Sequence, residues 1–189
     1  MLILAVALVL FLSTLIRSTF GFGDALIAMP LLTVMIGKEL AVPVFALLTL
    51  VISGTILIRN WRSVHFKSAW KLVLSSALGV PLGILLLQSP DDTLFKFLLA
   101  GLLILFSIYN LLKPRLLGFQ NDLPAYPIGF VAGILGSAYN TNGPLVVIFG
   151  TLRGWSPGAF RATMQGYFFP TGLFIAGSHA VSGLWTQTV

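Results

Sequence analysis

The chain of 189 residues has no cysteine, which excludes disulfides, thiolate metal sites and a thiol nucleophile. Charge is nearly as scarce. Only 8% of the residues are Asp, Glu, Lys or Arg, against about a quarter in a soluble domain, so the chain has too few to coat a water-facing globule. Histidine occurs twice, at His65 and His179, with no ligand partner nearby; each reads as an interfacial residue, not a metal ligand, and no cofactor is expected. No His-Asp-Ser set or ligand cluster stands in the sequence, which argues against a membrane-embedded enzyme. Low-complexity tracts are absent too.

What is abundant is apolar: 57% of the residues are hydrophobic and the mean hydropathy is +0.99. The expected class is an all-α, polytopic membrane protein with the lipid bilayer as its main partner. The formal charge of +6 would suggest nucleic acid in a soluble protein. Here the basic residues sit in short connections between apolar runs, where they orient a membrane chain, so no nucleic-acid partner is expected. A homo-oligomer is a candidate assembly. Met1 to Thr19 has no basic start, a long apolar run and no small-residue cleavage pattern, so it reads as a retained membrane helix and not a secretion signal.

Eight helices follow from the runs: Leu2–Thr19, Ala25–Ile36, Leu40–Ile58, Trp70–Leu87, Leu94–Leu112, Tyr126–Ala138, Pro144–Leu152 and Pro157–Ala180. Ser156-Pro157 is a good helix opening, a capping hydroxyl followed by proline at the first helical position. Trp61, Trp70, Trp155 and Trp185 all fall near helix ends, as interfacial anchors do.

Two of the apolar stretches are interrupted, 119 residues apart. The first interruption runs Ser18-Thr19-Phe20-Gly21-Phe22-Gly23-Asp24-Ala25-Leu26, the second Ser137-Ala138-Tyr139-Asn140-Thr141-Asn142-Gly143-Pro144-Leu145. They share Ser18/Ser137, the aromatic pair Phe20/Tyr139 and Leu26/Leu145. An unbroken helix from Leu2 to Ile36 would overshoot a roughly 30 Å hydrocarbon core by about 20 Å, so a break is geometrically useful there. Matching interruptions in two halves point to a binding site at the repeat interface.

The expected organisation is therefore two homologous helical halves, each opening with a broken segment: residues 1–113, a linker over 114–124, and 125–189. Shifted by 119, the third and fourth helices of the first half would fall beyond Val189, so the second half reads as incomplete, by truncation or by borrowing a partner's surface. The basic stretch 59–71 reads as cytoplasmic and Gln88–Asp92 as lying on the other side. Halves that are inverted suit the charge of the Arg153–Arg161 connection better than parallel ones.

The segment Gly21 to Leu32 resembles the first signature of the sulfite exporter TauE/SafE family. Gly133, Gly136, Asn142-Gly143-Pro144-Leu145-Val146-Val147 and Phe160-Arg161-Ala162-Thr163 resemble its second. The resemblance covers nearly the whole chain. It implies two four-helix halves and a membrane permease for sulfite, sulfonates or related small anions. Asp24 and Asn142 depart from it, standing where many members have glycine.

The same residues suit such chemistry on their own terms. A buried anion needs hydrogen-bond donors, which freed amides at a helix N-terminus supply along with partial positive charge. Ala25–Ile36 and Pro144–Leu152 both start just after a break. The candidate substrate-binding residues are Arg17, Phe20, Gly21, Phe22, Gly23, Asp24, Tyr139, Asn140, Thr141, Asn142, Gly143, Pro144, Arg161 and Gln165. Asp24 fits either a proton-exchanging carboxylate or a cap of the helix that follows. Arg17 fits an anion ligand, a partner of Asp24 or a snorkelling interfacial residue. Arg161 and Gln165, at i and i+4, share a helix face, and Arg161 also fits a cytoplasmic anchor. A secondary carrier of a small anionic substrate, with protons as a candidate coupling ion, accounts for repeat and breaks together. An anion channel and a non-transporting structural or assembly subunit are the alternatives.

Overall fold

Apolar runs too long for loops and lacking strand alternation become helices throughout the computed structural model, which describes residues 1–90, 92–112 and 118–185. The order is α1 (Leu2–Phe20), α2 (Asp24–Ile36), α3 (Lys38–Asn60), a 3₁₀ turn (Trp61–Ser63), α4 (Phe66–Leu87), α5 (Asp92–Leu112), α6 (Ala125–Tyr139), α7 (Gly143–Leu152) and α8 (Pro157–Val181). No strand occurs among the described residues. Three helical segments, Leu2–Phe20, Lys38–Ser63 and Phe66–Leu87, are long and apolar enough to cross a membrane. Large apolar side chains such as Leu4, Phe11, Leu78 and Leu105 cover the outside. In water such a surface would aggregate; against lipid it is the expected one.

Phe20 and Tyr139 end α1 and α6, Asp24 and Gly143 start α2 and α7, and Lys38 and Pro157 start α3 and α8. Each of these pairs is 119 residues apart. The expected helices are present, with ends displaced by a few residues. The largest change is at α4, which begins at Phe66 instead of Trp70 because the His65 carbonyl already accepts the Ser68 and Ala69 amides. Ser156 does occupy the N-cap of α8, but its hydroxyl makes no cap bond; its carbonyl accepts the Phe160 amide at 2.7 Å instead. Trp155 is more than an interfacial anchor. It is half-buried against Phe149 and Phe160 and stacks on His65, with the missing side chain of Gly150 making room.

The closest helix pair is α4 with α6, and the sequence explains why. Gly79-x₃-Gly83 on α4 faces Gly129-x₃-Gly133 on α6, and a Cβ at any of the four would overlap backbone atoms or a serine hydroxyl of the other helix. Serine hydroxyls then cross the seam. Ser76 Oγ donates to the Gly129 carbonyl at 2.7 Å and Ser137 Oγ to the Val80 carbonyl at 3.0 Å. α8 lies across α3 and α4. Of the expected linker, residues 114–117 lie outside the described set. The rest is fixed at its end by Asp122, which accepts from Ser68 Oγ at 2.8 Å and from Arg153 Nε at 2.9 Å, while Arg153 Nη1 holds the Phe119 carbonyl at 2.6 Å.

Candidate functional site

The two breaks are turns of three residues, each closed by a left-handed one. Gly21 has φ 86° and Gly23 φ 94°, a region where a side chain is penalised and glycine is not. At the matching position of the second break stands Asn140 with φ 54°, the one non-glycine with positive φ among the described residues. Asparagine tolerates this region better than most side chains. Its amide donates to the Gly136 carbonyl at 2.9 Å, the single bond of an αL cap, and the Thr141 amide donates to the Leu135 carbonyl at 3.3 Å.

Each break is tied to the long helix of the other half. Gln165 Nε2 on α8 donates to the Gly21 carbonyl at 2.9 Å, and Asn140 Nδ2 donates to the Val42 carbonyl of α3 at 2.8 Å. The breaks therefore face each other. Between them lies a cavity of about 10 Å³, bounded by Gly23, Asp24 and Ala25 on one side, Asn140 to Pro144 on the other, and Arg17 and Phe168 across it. A second cavity of about 20 Å³ shares Arg17, Asn140, Asn142 and Phe168, and extends along α3 and α8 past Thr49, Gly172 and Ile175. The amino ends of α2 and α7 both open on the first of these, bringing free amides and partial positive charge.

Arg17 is the centre of the site's electrostatics. It is 4% exposed, with Nη1 2.8 Å from Asp24 Oδ2, Nη2 3.3 Å from Gln165 Oε1, and its guanidinium 4.6 Å from the centre of the Phe168 ring. Of the three expected uses of Arg17, pairing with Asp24 is what the structure shows, and snorkelling is not. The N-cap of α2 is Gly23, with Asp24 as the first helical residue and no side-chain cap bond, so Asp24 does not act as the cap. Its carboxylate still sits in the first turn, where the helix dipole favours it. Two buried charges with one direct bond are expensive to desolvate, and removing either partner alone leaves the other uncompensated.

The fourteen candidate residues separate into groups. Arg17, Gly23, Asp24, Asn140, Thr141, Asn142, Gly143 and Pro144 line the cavity; Gln165 and Gly21 brace it. Four do not reach it. Phe20 is 63% exposed on the outer face of α1. Phe22 packs edge-on against Phe160. Tyr139 is buried against Phe95, with ring centres 4.5 Å apart. Arg161 is exposed and donates to the Ser18 carbonyl at the end of α1. Phe168 is the functional neighbour that sequence reasoning missed; it shares a face with Gln165 at i+3, a signal that was available.

His179 is not interfacial, contrary to the sequence reading. It is fully buried, and its Nε2 lies 3.0 Å from the Ser137 carbonyl. The cause is the second break, which ends α6 inside the bundle and leaves a last-turn carbonyl needing a donor. His65 is exposed, as expected. Among the described residues no group of His, Cys, Asp and Glu could hold a metal. A wider, apolar groove of about 620 Å³ lies between α4 and α8, lined by Leu85, Leu173 and Phe174, with Gln88, Ser178 and Ser182 at its end and no charged residue in its lining.

No curated protein and no solved structure matches the chain. A family model does: residues 6–189 match the one described as Sulfite exporter TauE/SafE, whose members are membrane transporters of sulfite-type anions. The match takes in both breaks and the buried cation between them, and with it the chain belongs to the sulfite exporter TauE/SafE family.

Proposed function

We propose that the chain is a secondary carrier for sulfite, small sulfonates or related small anions, lying as a multi-pass protein in the plasma membrane with residues 59–71 cytoplasmic. The observation that carries this reading is the meeting of two helix amino ends on one buried arginine. Backbone amides of α2 and α7 and the Asn142 side-chain amide surround the place where an oxyanion would lie. In this conformation the cavity holds about one water, and sulfite, with four heavy atoms, is too large for it. Binding therefore needs the breaks to move apart, and the anion takes Arg17 by displacing Asp24. A carboxylate left without its cation in a low-dielectric site takes up a proton, so a proton accompanies the anion.

The test is counterflow of labelled sulfite in proteoliposomes, repeated with an imposed proton gradient. Saturable counterflow that the gradient drives uphill is the expected result. Flux that does not saturate would identify a channel, and no flux at all would leave an assembly role.

A further inference from the structure

Asp24 is 4% exposed, so a proton that neutralises it needs a route through the bundle. Buried polar groups on α8 mark one. Tyr167, Thr171, Ile175 and His179 follow each other at i+4 and so form a single stripe, and all four are buried. At the inner end, the Tyr167 hydroxyl bonds Ser76 Oγ at 2.8 Å, and the Asn142 and Thr171 side chains also lie against it. Asn142 in turn lines the cavity of Asp24. Further out, His179 Nδ1 is buried and has no hydrogen-bond partner among the described residues. In most folded proteins buried polar atoms are paired, so a bare one at the end of this stripe calls for an explanation.

His179 has the chemistry for a relay. The Ser137 carbonyl can only accept, so Nε2 carries the hydrogen and Nδ1 presents a bare lone pair. A proton taken there makes an imidazolium at the carboxyl end of α6, where the helix dipole favours a cation. The next residues along α8, Ser178 and Ser182, lie in the open 620 Å³ groove, beside Gln88, whose Nε2 donates to the Ser182 carbonyl. Inward, Ile175 borders the 20 Å³ cavity that reaches Asn140, Asn142 and Arg17, a space large enough for one water with polar neighbours. The Ser137 carbonyl of α6 faces the His179 ring, and Ile175, one turn away, packs with Ile84 of α4 and Ala46 of α3. No ion pair involves the histidine among the described residues.

We propose that His179 is the proton relay of the carrier, passing protons between the α4/α8 groove and Asp24 along the Tyr167–Thr171–His179 stripe. This rests on the carrier reading above. The stripe opens at the end of the bundle that holds Gln88, opposite the basic 59–71 connection. Protons thus enter or leave on the side proposed as non-cytoplasmic.

The experiment compares wild type, His179→Gln and Asp24→Asn in proteoliposomes with labelled sulfite. Glutamine keeps a donor for the Ser137 carbonyl but cannot carry a proton. His179→Gln is expected to retain counterflow and to lose gradient-driven accumulation; accumulation equal to wild type would overturn the relay. Absent counterflow in the wild type would instead overturn the carrier reading. A spectroscopic arm needs no variant. With two histidines in the chain, ¹⁵N-histidine NMR of the native protein is expected to show one buried Nε2–H tautomer whose bare Nδ1 becomes protonated as the pH is lowered. A buried histidine that carries its hydrogen on Nδ1, or that never takes up a second proton in the folded protein, would contradict the proposal.

Discussion

The two breaks have the same backbone and opposite chemistry. Both stop a helix with a left-handed residue, run three residues, and start a new helix 119 positions from their counterpart. Yet where the first has Arg17 and Asp24, the second has Gly136 and Gly143. Where the first is braced by Gln165, the matching position on α3 is Ala46. One break carries the buried charges and the other the neutral polar side chains Asn140, Thr141 and Asn142. The recurring backbone thus supplies paired helix ends, and the difference between the two breaks supplies a single buried cation. Their surroundings differ as well. α6 is locked to α4 by facing glycines; at the positions of Gly129 and Gly133, α1 has Leu10 and Thr14, and most of its length is exposed.

The charge difference gives the largest expected effect. Arg17→Gln or Asp24→Asn alone should cost roughly 3–5 kcal/mol in detergent unfolding, because each leaves one buried charge unpaired. The double variant should recover most of that loss, since neither charge is then left. Equal losses for single and double variants would mean that the pair is not a unit in the native state. No substitution of Asn142 should approach the single-variant effect, because it removes no counter-ion.

A smaller effect tests the shared backbone. Asn140→Gly keeps the left-handed turn and loses the ties to the Val42 carbonyl and Met29 Sδ, about 1 kcal/mol, whereas Asn140→Ala also adds strain of roughly 1–2 kcal/mol. Gly21→Ala should show the strain part alone, because its new Cβ would meet Arg161 Cγ at an ordinary 3.5 Å. Alanine matching glycine at Asn140 in thermal unfolding would undo the likeness of the two turns. Smallest of all, Arg161→Gln should change stability by no more than about 0.5 kcal/mol and leave sulfite affinity as it was, in keeping with an exposed residue that holds only the end of α1.

The breaks were legible because Gly21, Gly23, Asn140 and Pro144 are local signals: each limits what the backbone can do within a turn or two. The pairing of Arg17 with Asp24, seven residues on, was nearly local and could be offered as one option. What could not be read were partners set by the bundle. Phe168 meets Arg17 only because α8 crosses the first break, and Tyr139 turns away from its own break because Phe95 of α5 offers it a core. His179 looked interfacial near the end of a long helix; the broken end of α6, packed beside it, makes it a buried partner of Ser137. Glycine pairs on α4 and α6 were visible as residues, but their opposition across one seam was not.

The central claim is that a substrate anion replaces Asp24 on Arg17. Sulfite titration by calorimetry against wild type, Asp24→Asn and Arg17→Gln tests it most directly, with proton uptake read from buffers of different ionisation heat. The expected results are binding with proton uptake in wild type, tighter binding without uptake in Asp24→Asn, where no internal anion competes, and no binding in Arg17→Gln. Binding by Arg17→Gln equal to that of wild type would contradict it.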